Sequence, residues 1–339
     1  MRGASRWVCA VFASVVGCGG SSTSVGDAAD SGNDTSSHVD ADTGVSEVAI
    51  AETSADATSP TDAPTDAPTE SDVAVDGAIA PTLESPGPCA VTKVDSTVAG
   101  NAVHVLVPGC AAPASGFPAV VFAHGFQLKT TDYDNLLGHL ASYGFLVASV
   151  DYPGTLLSID QRDVGKAIVA GKAALVAGAI AGVPKVDPNK IVASGHSLGG
   201  KGSFLAVLSD ATFAAGLAFD PVDGNPGNPL SGGTPDSAHP QLTPTTVAPL
   251  SLPCGIFGTA LSHCSTGGLG SSACAPTNED AYAFAAALTS SKHFLWPIAD
   301  FGHMQFLDDP SCGFTCSVCV AGSSPTDPHL KAVEAIAVA

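Results

Sequence analysis

The sequence predicts a doubly wound, mainly parallel α/β sheet with helices on both faces, and three observations lead there. Six short apolar runs, each rich in β-branched or aromatic residues, recur through the C-terminal part of the chain. Such near-continuous runs suit strands covered on both faces. Longer helix-forming stretches separate them, which is the alternation that parallel strands joined by helical crossovers require. Finally, Gly87–Ala339 contains 253 residues, the size of one α/β domain.

Taken in order, PAVVFA (Pro118–Ala123) is the first run, and Asp132–Tyr143 the helix after it. FLVASV (Phe145–Val150) is followed by a helix over Ile159–Ala181, then KIVAS (Lys190–Ser194) by a helix over Gly199–Asp210. AAGLAF (Ala214–Phe219) and Ser251–Phe257 come next, with the proline-rich Pro221–Pro249 between them as a lid or rigid loop shaping the pocket. A helix over Asn278–Thr289, a strand over Lys292–Ile298 and a terminal helix from Asp327 complete the series, and His104 lies in an earlier strand pattern. In such sheets ligands bind beyond the carboxyl ends of the strands.

Upstream of this domain the chain is a different polymer. Gly19–Pro86 has no aromatic residue, no Lys or Arg and 14 acidic residues, and Ala, Asp, Ser and Thr fill 42 of its 68 positions. Residues 19–86 therefore read as a disordered acidic tether, with a span of roughly 45 Å. Residues 1–18 read as an export signal: Arg2 and Arg6 precede the nine-residue apolar stretch Val8–Val16, too short to cross a bilayer as a helix. Its end, Val15-Val16-Gly17-Cys18, resembles the lipobox of bacterial lipoproteins, which implies lipidation of Cys18 and anchoring to the cell envelope or surface, with plain secretion as the alternative. The formal net charge of −20 disfavours nucleic acid as a partner.

Export places the cysteines in an oxidising compartment. Cys89, Cys110, Cys254, Cys264, Cys274, Cys312, Cys316 and Cys319 are even in number and are expected to pair, Cys89 with Cys110 across the first strands. The competing reading of Cys312, Cys316 and Cys319 as a zinc site is disfavoured by the scarcity of nearby His.

Chemistry concentrates at Gly195-His196-Ser197-Leu198-Gly199, a G-x-S-x-G motif lying between the strand KIVAS and the helix GGKGSFLAVL. In that context the glycines permit a sharp turn that exposes the Ser197 hydroxyl as a nucleophile. A hydroxyl needs a base, and His303 follows the last strand. His104, His139 and His196 read as packing or surface residues; His239, His263 and His293 are in or beside loops that break the order Ser, acid, His. The acid is expected to be Asp220, because a helix down and a strand back return it to the level of Ser197. Asp223 competes and Asp300 is third. Backbone N–H groups of Leu198 and of Phe126, in the loop His124-Gly125-Phe126, are expected to form an oxyanion hole.

The segments HGFQL, LLGHLASYGFLVASVD, GHSLGGKGSF, FDPVDG, CAPTNEDAYAF and FGHMQFLDD, in that order over roughly Val103–Asp309, resemble chlorophyllases among the α/β-hydrolases. The resemblance implies the α/β-hydrolase fold and a triad of Ser197, an Asp of FDPVDG and His303. It also implies hydrolysis of a carboxylic ester, without metal or organic cofactor. Leu198 stands where the plant enzymes usually have Arg. A cutinase-like polyester or lipid esterase, and a non-catalytic surface binding protein on the same scaffold, are the alternatives.

Overall fold

A computed structural model describes residues 83–155, 159–224, 235–265, 273–322 and 337. The segment 1–18, nearly all of 19–86 and the terminal helix expected from Asp327, apart from the helical Ala337, lie outside the described residues.

Among the described residues the strands are β1 (Val91–Val98), β2 (Asn101–Pro108), β3 (Phe117–Ala123), β4 (Leu146–Val150), β5 (Val186–His196), β6 (Ala215–Phe219), β7 (Cys254–Thr259) and β8 (His293–Ile298). They form one sheet in the order β1-β2-β4-β3-β5-β6-β7-β8. β1, β2 and β4 pair antiparallel, and every later pairing is parallel. The helices are α1 (Asp134–Ser142), α2 (Gln161–Ala177), α3 (Leu198–Ser209), α4 (Ala281–Ala287) and the short α5 (Phe314–Ser317). This is the α/β-hydrolase fold.

Strand side chains alternate between two cores, as the pleat demands. Ala119, Val121 and Ala123 of β3 face the core that contains Val164 and Ile168 of α2, Phe204 of α3 and Phe284 of α4. Val120 and Phe122 face the opposite core with Leu136, Leu137 and Leu140 of α1, Phe301 and Phe306. Each central strand is therefore apolar at nearly every position, which is why the runs were legible.

Element ends follow local chemistry. Asp160 caps α2 by accepting from the Arg162 amide, and Gly178 (φ +63°) ends it, so the helix is shorter than the expected Ile159–Ala181. Asp280 caps α4 through the Ala283 amide, trimming the expected Asn278–Thr289. β7 begins three residues later than expected, at Cys254, after Pro253, which has no amide to donate. β1 and β2 are joined by Ala99 and Gly100, both at positive φ, the tight turn of a two-residue hairpin. Residues 83–87, at the expected end of the tether, are hydrogen-bonded to α1 and its C-terminal cap: Leu83 O to His139 Nε2, Ser85 O to Tyr143 Oη, and the Gly87 amide to Ser142 Oγ.

Cys89 and Cys110 form the expected disulfide, closing the β1–β2 hairpin. Cys312 pairs with Cys316, and Cys274 with Cys319, so the thiolates of the zinc reading are engaged in disulfides. The expectation that all eight cysteines pair is corrected at Cys254, a free thiol at the first position of β7. Its side chain is buried in the apolar core, where desolvation pushes the thiol up to about 11.

Candidate active site

Five strand ends converge on one place. Ser197 follows β5 directly and begins the turn into α3 with φ +57° and ψ −119°, a backbone conformation strained for a non-glycine residue. The turn is held from three sides: the Ser197 amide donates to Phe219 O, and Ser197 O accepts from the Lys201 and Val222 amides. Gly199 cannot be larger, because a Cβ there would lie 1.9 Å from Ala123 O at the end of β3. The Ser197 side chain remains partly exposed.

His303 starts a 3₁₀ turn (His303–Phe306) beyond β8, and its ring bridges Ser197 and Asp220. Nε2 lies 2.9 Å from Ser197 Oγ, and Nδ1 lies 2.7 Å from Asp220 Oδ2. A carboxylate only accepts, so Nδ1 carries the proton and Nε2 offers its lone pair to the serine hydroxyl. Asp220, the first residue after β6, is fully buried and sits at φ +42°. Oδ1 accepts from the Thr259 amide and Oδ2 from Thr259 Oγ1, while Ser262 Oγ lies 3.4 Å from Oδ1. Thr259 ends β7, so the strand end that lacks an acid supplies the groups that hold the carboxylate beside it.

The two competitors lie elsewhere. Asp300 is exposed in the turn after β8. Asp223 is buried, and its Oδ1 is 3.0 Å from Lys201 Nζ. Its carboxylate also accepts from the Leu242 and Thr243 amides and from Thr243 Oγ1. Lys201, one turn into α3 and wholly buried, donates to Gln161 Oε1 at 2.6 Å, so this pair ties α3, α2 and the segment 235–250 together. Burial lowers the Lys201 ammonium from its ordinary range, opposed by Asp223.

The loop after β3 abuts Ser197. A Cβ on Gly125 would meet Leu128 Cδ1 at 2.9 Å, His196 Nδ1 at 3.1 Å and Ser197 Cβ at 3.3 Å, so a glycine here lets the loop lie close against Ser197. Phe126 follows Gly125 in that loop, half-buried, and Leu198 opens α3 directly after Ser197.

Sequence reasoning missed the role of one residue. His196, expected as packing or surface, is wholly buried, with its ring centroid 4.7 Å from that of His303. Its Nε2 is 2.9 Å from His303 O and its Nδ1 2.8 Å from Tyr133 Oη, which in turn accepts from the Gly125 amide at 3.0 Å. Desolvation and the neighbouring His303 hold the His196 imidazole well below its usual range, so it is neutral. Its place inside G-x-S-x-G signalled proximity to Ser197; its partners, Tyr133 and His303, are 63 and 107 residues away in sequence.

Ser197, Asp220 and His303 lie beyond the ends of β5, β6 and β8, in that chain order, on a sheet whose topology defines the class as an α/β-hydrolase. A family model for chlorophyllases matches residues 85–339, and the chain belongs to the chlorophyllase family, as an ester hydrolase. It is 31% identical over 236 residues to Chlorophyllase-1 of Arabidopsis thaliana, covering 65% of this chain and 67% of that protein. It is 28% identical over 241 residues to the chloroplastic Chlorophyllase-1 of Citrus unshiu, covering 66% and 67%. Against Chlorophyllase-2 of Arabidopsis thaliana the identity is 26% over 247 residues, covering 68% and 74%.

Proposed function

We propose that the protein hydrolyses carboxylic esters through an acyl-enzyme on Ser197, with His303 as general base and acid and Asp220 as the carboxylate that orients it. The observation that carries this reading is the His303 ring bridging Ser197 Oγ at 2.9 Å and Asp220 Oδ2 at 2.7 Å. Ser197 Oγ attacks the ester carbonyl carbon while its proton passes to His303 Nε2. The tetrahedral oxyanion takes hydrogen bonds from the amides of Leu198 and Phe126. Its collapse breaks the bond to the alkoxy oxygen, which leaves as the alcohol with the proton held on His303. Water, deprotonated by the same Nε2, then attacks the acyl carbon and releases the acid and free Ser197. Asp220 stays ionised and stabilises the transient imidazolium.

The curated relatives are named as chlorophyllases, and their name makes chlorophyll one candidate substrate among esters of graded size. The test is hydrolysis of p-nitrophenyl esters of increasing acyl length beside chlorophyll, with Ser197→Ala as control. Activity that survives the substitution would remove the serine mechanism.

Export and envelope anchoring through Cys18 are proposed from the sequence of the first 18 residues. The disulfides Cys89–Cys110, Cys274–Cys319 and Cys312–Cys316, among the described residues, support an oxidising compartment.

A further inference from the structure

We propose that Tyr133 and His196 form a positioning relay that holds the oxyanion loop and His303 in register with Ser197. The inference rests on the serine-hydrolase reading above and concerns positioning residues, whose hydrogen bonds run to each other and to the main chain of Gly125 and His303.

Proton accounting assigns every hydrogen in the relay. His303 O can only accept, so His196 Nε2 carries the hydrogen and donates it. The neutral ring then has only a lone pair at Nδ1, and that lone pair must accept from Tyr133 O–H. With its single hydrogen spent, Tyr133 Oη accepts from the Gly125 N–H. The result is one directed chain, Gly125 N–H to Tyr133 O–H to His196 Nε2–H to His303 O, with no group free to turn around.

This chain joins three of the converging strand ends. Gly125 immediately precedes Phe126, whose amide is the second oxyanion donor. His196 precedes Ser197, and the far end of the chain is the main chain of His303 itself. Packing fixes the two side chains that carry it: the Tyr133 ring sits edge-on to Phe122 at 4.9 Å, and the His196 ring lies 5.4 Å from Phe306. Tyr133 and His196 are both wholly buried. A buried donor or acceptor that loses its partner cannot recruit bulk water, so removing the phenol leaves both the Gly125 amide and His196 Nδ1 unsatisfied. The loop then relaxes away from Ser197. Displacement of an oxyanion donor by about an ångström costs on the order of 10²-fold in rate.

The experiment uses the full chain. Tyr133→Phe is expected to lower kcat on a p-nitrophenyl ester by about 10- to 100-fold with KM within about twofold. His196→Leu should lose at least as much, and His196→Gln, which can donate to His303 O and accept from Tyr133, should recover at least fivefold over His196→Leu. The double variant Tyr133→Phe/His196→Leu should be no slower than His196→Leu alone, since both break one chain. Unchanged kcat, a loss confined to KM, or fully multiplicative losses would overturn the relay. Histidine ¹⁵N spectra of the wild type decide the same point without any variant. The expected signature is His196 protonated at Nε2 and bare at Nδ1; the opposite tautomer overturns the relay. Fluorophosphonate labelling separates the two readings. A wild type that does not label at Ser197 removes the hydrolase reading, whereas equal labelling rates in the wild type and Tyr133→Phe remove only the relay.

Discussion

Replacing Asp223 by Asn separates the two aspartates that the sequence left in competition. Asp223 and Lys201 are both buried and 3.0 Å apart, so the substitution strands an ammonium group in the protein interior. Breaking one side of a buried ion pair costs about 3 to 5 kcal/mol. Asn keeps one carbonyl oxygen for the Leu242 and Thr243 amides, and Lys201 keeps Gln161 Oε1, which places the loss near the lower end, about 3 kcal/mol. For a domain of this size each kcal/mol lowers the unfolding midpoint by about 2 to 4 °C, so a fall of roughly 6 to 12 °C is expected. At 20 °C, where the variant remains folded, kcat should fall by less than about tenfold, because Asp223 touches neither His303 nor Ser197. Asp220→Asn should do the reverse, lowering kcat by about 10⁴, as expected when a triad histidine loses its carboxylate. Adding Lys201→Met to Asp223→Asn should recover part of the midpoint, since the stranded charge is gone. The assays are thermal melts and steady-state hydrolysis of a p-nitrophenyl ester on the same preparations. A large loss of kcat at an unchanged midpoint for Asp223→Asn would refute the reasoning.

Asp280 carries an acid raised from 3.8 to about 6, by burial first and the nearby Asp220 charge after it. A carboxyl raised in the folded state is tolerated below the unfolded value of 3.8 and penalises folding as pH rises through about 6, so Asp280→Asn should stabilise at pH 8 by up to about 3 kcal/mol and show little difference at pH 3.5. Urea melts at both pH values check this, and an equal effect at each would contradict it. Alkylation without reductant should leave Cys89, Cys110, Cys274, Cys312, Cys316 and Cys319 unmodified, with Cys254 reacting only on unfolding; a reductant should lower the melting midpoint, at about 2 to 4 kcal/mol per disulfide lost. Cys18→Ala should move the exported protein from the detergent phase to the aqueous phase, and an unchanged partition would contradict lipid anchoring.

The strands of the central sheet were legible because both of their faces are covered, and β3, β4 and β6 match the expected runs within a residue or so. β5 is longer than KIVAS, from Val186 to His196, because Val186 pairs with Phe117 across a shift in register. Asp187, Pro188 and Asn189 lie within it, ahead of the expected start at Lys190. In the site, Ser197 and His303 were legible because a strand end, a turn and a short motif carry them. Asp220 followed from the rise of a helix and a strand, which is simple geometry. Asp223 competed with Asp220 as its near neighbour in sequence, yet its partners are Lys201, 22 residues earlier, and Leu242 and Thr243, 19 and 20 residues later. His196 was missed for the same reason: hydrogen bonds between distant segments leave no periodicity in a sequence.

The central claim is that Ser197 is the nucleophile. Intact-mass and peptide mass spectrometry after treatment with a fluorophosphonate tests it most directly. The expected result is one adduct per chain, on Ser197, formed as ester hydrolysis is lost and absent from Ser197→Ala. An active, unlabelled wild type, or an adduct on any other residue that abolishes activity, would contradict it.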